Sequence, residues 1–205
     1  MIERIENAIQ ITVLLICAGI SIFKTAKYRS RTWTNAFFFF GSLALGDIYW
    51  FVCLIFYGKT PQISVVSDLS WYASYIFLYL ILTRTAPPEE TGKAGFLPWL
   101  GPVFTVSMAL FFMTYGEILG NIICASLMGL LLFSSIRRLK DHKRCRKELF
   151  LAVMIFIFCM IEYGLWLSSC FWSSDTLANP YYWFDFLLTV CFVILVPAIK
   201  KAVEL

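Results

Sequence analysis

Seven apolar runs, at about residues 8–23, 33–56, 63–83, 96–114, 117–136, 148–171 and 181–199, take up most of the 205-residue chain and leave only short connections. A bilayer's hydrocarbon core is about 30 Å thick and takes about 20 apolar residues per helix. Within it the backbone must satisfy its own hydrogen bonds, and none of these runs alternates as a barrel strand does, so each is expected to be a helix. Composition agrees: 60% of residues are apolar and 15% charged, against about 45–50% and about 25% in soluble domains. A water-soluble globule is excluded, and no large extramembrane domain fits. The expected fold is all-α, a polytopic seven-transmembrane-helix bundle forming one transmembrane domain over residues 1–205. Pro61, Pro98 and Pro180 fall near helix starts, and Gly58, Gly95 and Gly116 mark turns.

Charge sets an expected orientation. Fifteen of the 17 Lys and Arg residues fall in the first, third and fifth connections and the C-terminal tail; Arg4 and Lys59 are the exceptions. The positive-inside rule puts the N-terminus outside and the C-terminus in the cytoplasm, which needs an odd number of spans. The net charge of +4 therefore belongs to membrane topology, and no nucleic-acid partner is expected. The densest stretch, Arg137 to Lys147, is expected to contact anionic lipid headgroups, at about 1 kcal/mol per basic residue. Met1 to Asn7 carries two acids, and no small-residue cleavage site follows the first run, so that run is expected to remain as a spanning helix rather than a signal peptide.

Little points to catalysis. Cys17, Cys53, Cys124, Cys145, Cys159, Cys170 and Cys191 form no C-x-x-C pair and read as buried small hydrophobes. The single histidine, His142, lies in the basic stretch and reads as a solvated residue; no metal site and no cofactor are expected. An intramembrane aspartyl protease would need G-x-G-D where this chain has Ala44-Leu45-Gly46-Asp47. An enzyme ranks third among the functions considered.

The runs suggest an internal repeat: two parallel three-helix units, residues 8–84 and 117–199, joined by a linker helix at 96–114. Asp47 and Trp50, then Asp68 and Trp71, echo Glu162 and Trp166, then Trp183 and Asp185. This three-plus-one-plus-three plan is similar to that of SWEET-type sugar carriers, PQ-loop proteins and microbial rhodopsins. Retinal is not expected, because residues 184–196 hold no lysine.

The acids within the spans are the most informative residues, since an ionisable group at mid-membrane costs at least about 2.5–3.5 kcal/mol on insertion scales. Asp47 and Glu162 lie near mid-span, Asp68 and Asp185 nearer the outer ends, and Glu117 opens the fifth run. None has a Lys or Arg at comparable depth. They must face water, hold a proton, bind a cation, or accept hydrogen bonds as packing groups. Trp50 lies one turn from Asp47, and Trp166 one turn from Glu162, so each shares a helix face with a carboxyl group. Carboxylate plus indole suits a small polar or cationic ligand. Asp47, Trp50, Asp68, Trp71, Glu162, Trp166, Trp183 and Asp185 are the candidate ligand-binding residues, and the inward acids are expected to converge on one outward-facing cavity. The competing reading makes them hydrogen-bonded helix-packing glue.

Gly46-Asp47-Ile48-Tyr49-Trp50, Thr60-Pro61 and Ser67-Asp68-Leu69-Ser70-Trp71-Tyr72-Ala73-Ser74-Tyr75 together resemble segments of uncharacterised bacterial multipass membrane proteins and of the membrane sensor segments that precede diguanylate cyclase domains. The resemblance covers about 45 residues. It implies a ligand-sensing bundle in a bacterial cytoplasmic membrane. No cyclase domain is expected in these 205 residues, so output would pass to a cytoplasmic or membrane partner, or the action would be transport. A small-solute carrier is the alternative, with Pro102 and Pro197 as helix breaks that would let parts of the bundle rock. Reporter fusions test the orientation: a C-terminal fusion should read cytoplasmic, and an external C-terminus would overturn the charge-based topology.

Overall fold

The computed structural model describes residues 2–61, 63–85, 95–140 and 146–203. Lys93, His142, Lys143, Arg144 and Cys145 lie outside the described residues, so the expected headgroup contacts of the basic stretch are only partly within view. The described chain is all-α: α1 (Ile2–Tyr28), α2 (Arg31–Phe56), α3 (Val65–Arg84), α4 (Leu100–Phe112), α5 (Ile118–Lys140), α6 (Arg146–Phe171) and α7 (Pro180–Val203), with a 3-10 turn at Leu97–Trp99 leading into α4. Six of the seven are long and apolar enough to cross a membrane, and α4 with its leading turn is shorter. At 1.5 Å per residue α4 is about 20 Å long, less than a full hydrocarbon thickness. The chain is a multi-pass helical bundle whose outer faces suit lipid. Leu45, Val52, Leu69, Val103, Leu110 and Val190 are among its exposed large apolar side chains.

The helices are longer than the apolar runs, most of all α1. It begins at Ile2, so Glu6, Asn7 and Gln10 are buried helix residues instead of a polar lead-in. Asn7 Nδ2 donates to the Glu3 carbonyl at 2.7 Å and to Glu6 Oε2 at 3.2 Å, which satisfies polar groups that hydropathy alone assigns to water. Arg4 donates to the Leu54 carbonyl at 3.2 Å and so caps the last turn of α2. The Glu3 N–H donates to Asp175 Oδ1 at 3.2 Å, tying the N-terminus to the α6–α7 connection. At the other end α1 turns into α2 through Arg29 and Ser30 alone, with Arg29 in the left-handed region (φ 48°).

Six helices form a closed ring. α1 packs on α2 and α2 on α3, as α5 does on α6 and α6 on α7; α3 then meets α5, and α7 meets α1. α4 lies outside this ring, packed antiparallel on α5. Small residues let it approach closely: a Cβ at Gly101 would lie 2.8 Å from Leu132 Cβ and 3.1 Å from backbone atoms of Leu132 and Phe133, and one at Gly129 would lie 2.9 Å from Thr105 Oγ1. Pro102 stands in the first turn of α4, where a missing N–H leaves no bond broken, so it is not the mid-helix break considered from sequence. Pro197 is inside α7.

The core fills the half of the ring away from the N-terminus. Phe39, Phe40, Phe158 and Phe192 are fully buried, and Phe192 meets the other three at ring-centroid distances of 6.2–6.5 Å. Leu78, Ile81, Leu151, Ile155, Leu195 and Ile199 fill the space around and beyond these rings, all with no exposed surface. Farther along, buried Arg138 of α5 donates to Thr85 Oγ1 at 3.1 Å and to the Leu82 carbonyl, binding the end of α3 to α5. The six described cysteines are free, four of them buried, as expected of small hydrophobes.

Because Gly101 faces backbone that cannot rotate aside, Gly101→Ala should push α4 off α5 and destabilise the bundle by about 1–3 kcal/mol. Gly19→Ala and Gly41→Ala, which meet nothing within 4 Å, should be nearly neutral. Thermal unfolding in detergent compares the three.

Candidate ligand-binding cavity

At the N-terminal end the ring does not fill. A cavity of about 500 Å³ runs from Glu3 at the start of α1 and the connections that hold Thr60 and Ser173 down to Leu43, Leu188 and Phe192 at its floor. Asp47, Glu162 and Asp185 face it from α2, α6 and α7, at 9%, 5% and 5% exposure. Trp50, Trp71 and Trp166 line it as well. Six of the eight residues singled out from sequence therefore meet in one space.

Each acid has its own donors. Trp71 Nε1 donates to Asp47 Oδ1 at 3.3 Å. Gly46 makes this approach feasible: a Cβ there would lie 2.9 Å from the same indole nitrogen. The indole serving Asp47 thus comes from the neighbouring helix, while Trp50, on Asp47's own face of α2, leans on Trp71 with ring centroids 5.9 Å apart. Tyr75 hydrogen-bonds to Glu162. Glu6 and Gln10 of α1 hydrogen-bond to Asp185. Asp47 Oδ2 is buried without any partner, as is Glu6 Oε1.

Two expected residues lie elsewhere. Asp68 accepts a 2.6 Å hydrogen bond from Ser64 and lines a second cavity, of about 510 Å³, with Glu117, Asn121 and Cys124 between α3 and α5. Trp71, Tyr75, Trp166 and Ser169 line both spaces and so form a wall between them. Trp183 is 57% exposed and donates to the Leu177 carbonyl at 2.8 Å. It sits two residues from Asp185, about 200° round the helix, so the two cannot both face inward. The fourth acid at the centre is Glu6, 1% exposed, in place of Asp68. Its sequence signal is the spacing of Glu6 and Gln10, which share a face once α1 is extended to Ile2.

The arrangement is suited to binding. Carboxyl groups and indole faces converge, and no Lys, Arg or His is among the lining residues. Among the described residues no group of three or more His, Cys, Asp or Glu side chains is arranged to hold a metal ion. A carboxyl group in such a space can hold a proton or accept a hydrogen bond from a ligand's donor.

Because Trp71 donates to Asp47, Trp71→Phe and Asp47→Asn should be coupled by about 1 kcal/mol, the scale of interhelical hydrogen bonds in membranes. A double-mutant cycle on thermal or denaturant stability measures it, and strict additivity would mean the two side chains act independently.

No family model matches this chain, and comparison with curated proteins and with solved structures finds none similar to it.

Proposed function

We propose that this protein is an integral membrane protein with seven spans, N-terminus outside and C-terminus in the cytoplasm. In this reading it is a receptor-like subunit that binds a small polar or cationic solute from outside. The carrying observation is the polar cavity open at one end of the bundle over an apolar floor: Asp47, Glu162 and Asp185 gather above Phe192, and the phenylalanine cluster closes the ring beneath them. A buried carboxyl group in an apolar bundle is costly to keep, and a cavity leading to solvent relieves that cost and gives the acids a use. The basic residues grouped at the opposite end supply a surface for anionic lipid or for a cytoplasmic or membrane partner. A bacterial cytoplasmic membrane is the location that the sensor-segment resemblance implies.

Transport is the second reading. It is favoured by the ring itself, in which α1–α3 and α5–α7 are joined end to start at both seams, as two parallel repeats with α4 as linker would be. Pro197 inside α7 gives that helix a weak point.

A panel of small amines, amino acids and sugars, screened by thermal shift against the full chain in lipid nanodiscs, tests the shared premise. At least one compound should raise the midpoint, and Trp166→Ala should abolish that shift. Uptake of the same compound into proteoliposomes would assign transport; binding without uptake would assign reception.

A further inference from the structure

The cavity also carries information about what fits it, given that it is a ligand site at all. Asp47 is 9% exposed, lines the cavity and has one oxygen held by Trp71, while Oδ2 is buried with no donor. The other two acids differ, since Glu162 has Tyr75 and Asp185 has Glu6 and Gln10. Among the acids that line the cavity the missing donor is thus localised to Asp47; Glu6 Oε1, also buried without a partner, does not belong to the lining. None of the side chains around Asp47 Oδ2 donates to it, and the lining holds no Lys, Arg or His to neutralise it.

Charge, shape and size narrow the class. The lining acids Glu3, Asp47, Glu162 and Asp185 make the space cation-seeking. A bare metal ion is a poor match, since no metal-holding cluster exists among the described residues and about 500 Å³ is far more room than one ion fills. That volume lies in the range of sites for organic molecules. The walls are flat: Trp50, Trp71 and Trp166 present indoles, which attract cations at their faces and pack against planar apolar groups. Below them Leu43, Leu188 and Phe192 form an apolar floor.

We propose that the ligand is an organic monocation with a flat apolar body, of the arylalkylammonium class. Its ammonium donates to Asp47 Oδ2 and its ring lies among the indoles of Trp50, Trp71 and Trp166. This rests on the cavity being a ligand site, and it adds the chemical class and the atom that reads the charge.

Isothermal titration of the full chain in nanodiscs tests it with four probes: 2-phenylethylammonium, its neutral counterpart 2-phenylethanol, methylammonium, and calcium chloride. Phenylethylammonium should bind and each of the others should bind at least about tenfold more weakly, as expected for losing a charge-assisted hydrogen bond or the ring contact. Asp47→Asn should lower phenylethylammonium affinity about tenfold or more, Asp47→Glu should retain most of it, and Trp183→Ala should leave it unchanged. If Asp47→Asn fails to fold, the probe series and Asp47→Glu on the folded protein still decide. Phenylethanol binding as tightly as the amine, with both lost in Trp166→Ala, would overturn the cationic class and leave the cavity as a site. Calcium or methylammonium binding as well as the amine would overturn the organic body. If neither the four probes nor the wider panel binds in a Trp166-dependent way, the cavity reading fails as well.

Discussion

A carboxyl group inside a bundle of apolar helices must be given donors or water, and much of this molecule is arranged around that requirement. Asp47, Glu162, Asp185 and Glu6 come from four different helices, and three of them receive side-chain hydrogen bonds across a helix interface: from Trp71 to Asp47, from Tyr75 to Glu162 and from Gln10 to Asp185. These bonds connect α2 to α3, α3 to α6 and α1 to α7. The polar groups thereby help hold the open half of the ring together, beside aromatic contacts such as that of Trp50 with Trp71. In the other half phenylalanine rings and aliphatic side chains pack without polar aid, as dispersion and close packing allow.

This division explains why the bundle is open at one end only. A ring of six helices has more central space than small side chains can fill. At the N-terminal end the space stays open beside the acids, and at the other end Phe39, Phe40, Phe158 and Phe192 occupy it. α4, excluded from the ring, contributes a close contact with α5 through Gly101 and Gly129. It thickens one side of the bundle without adding to the central space.

Hydropathy made the helices legible, because a long run with few charges in a chain 60% apolar leaves few alternatives. The ends were less so. Glu6 and Asn7 look like a solvated lead-in until the first helix is extended to Ile2, when both turn inward. Asp47, Glu162 and Asp185 were identifiable as inward groups from the cost of exposing them to lipid. The same reasoning does not say which of several interior spaces an acid faces, and Asp68 faces the second one. Pairings within a helix, such as Trp50 with Asp47, follow from the 3.6-residue period. The donor that serves Asp47 lies 24 positions away, and its approach depends on Gly46 in a neighbouring helix, which a single sequence does not reveal.

The partition formed by Trp71, Tyr75, Trp166 and Ser169 has a mechanical implication. Because these side chains bound both chambers, a move of any of them changes both. An indole that swings to widen one takes volume from the other, and Trp71 would also have to release Asp47 to do so. The hydrogen bond at Asp47 therefore holds in place a side chain that both compartments share.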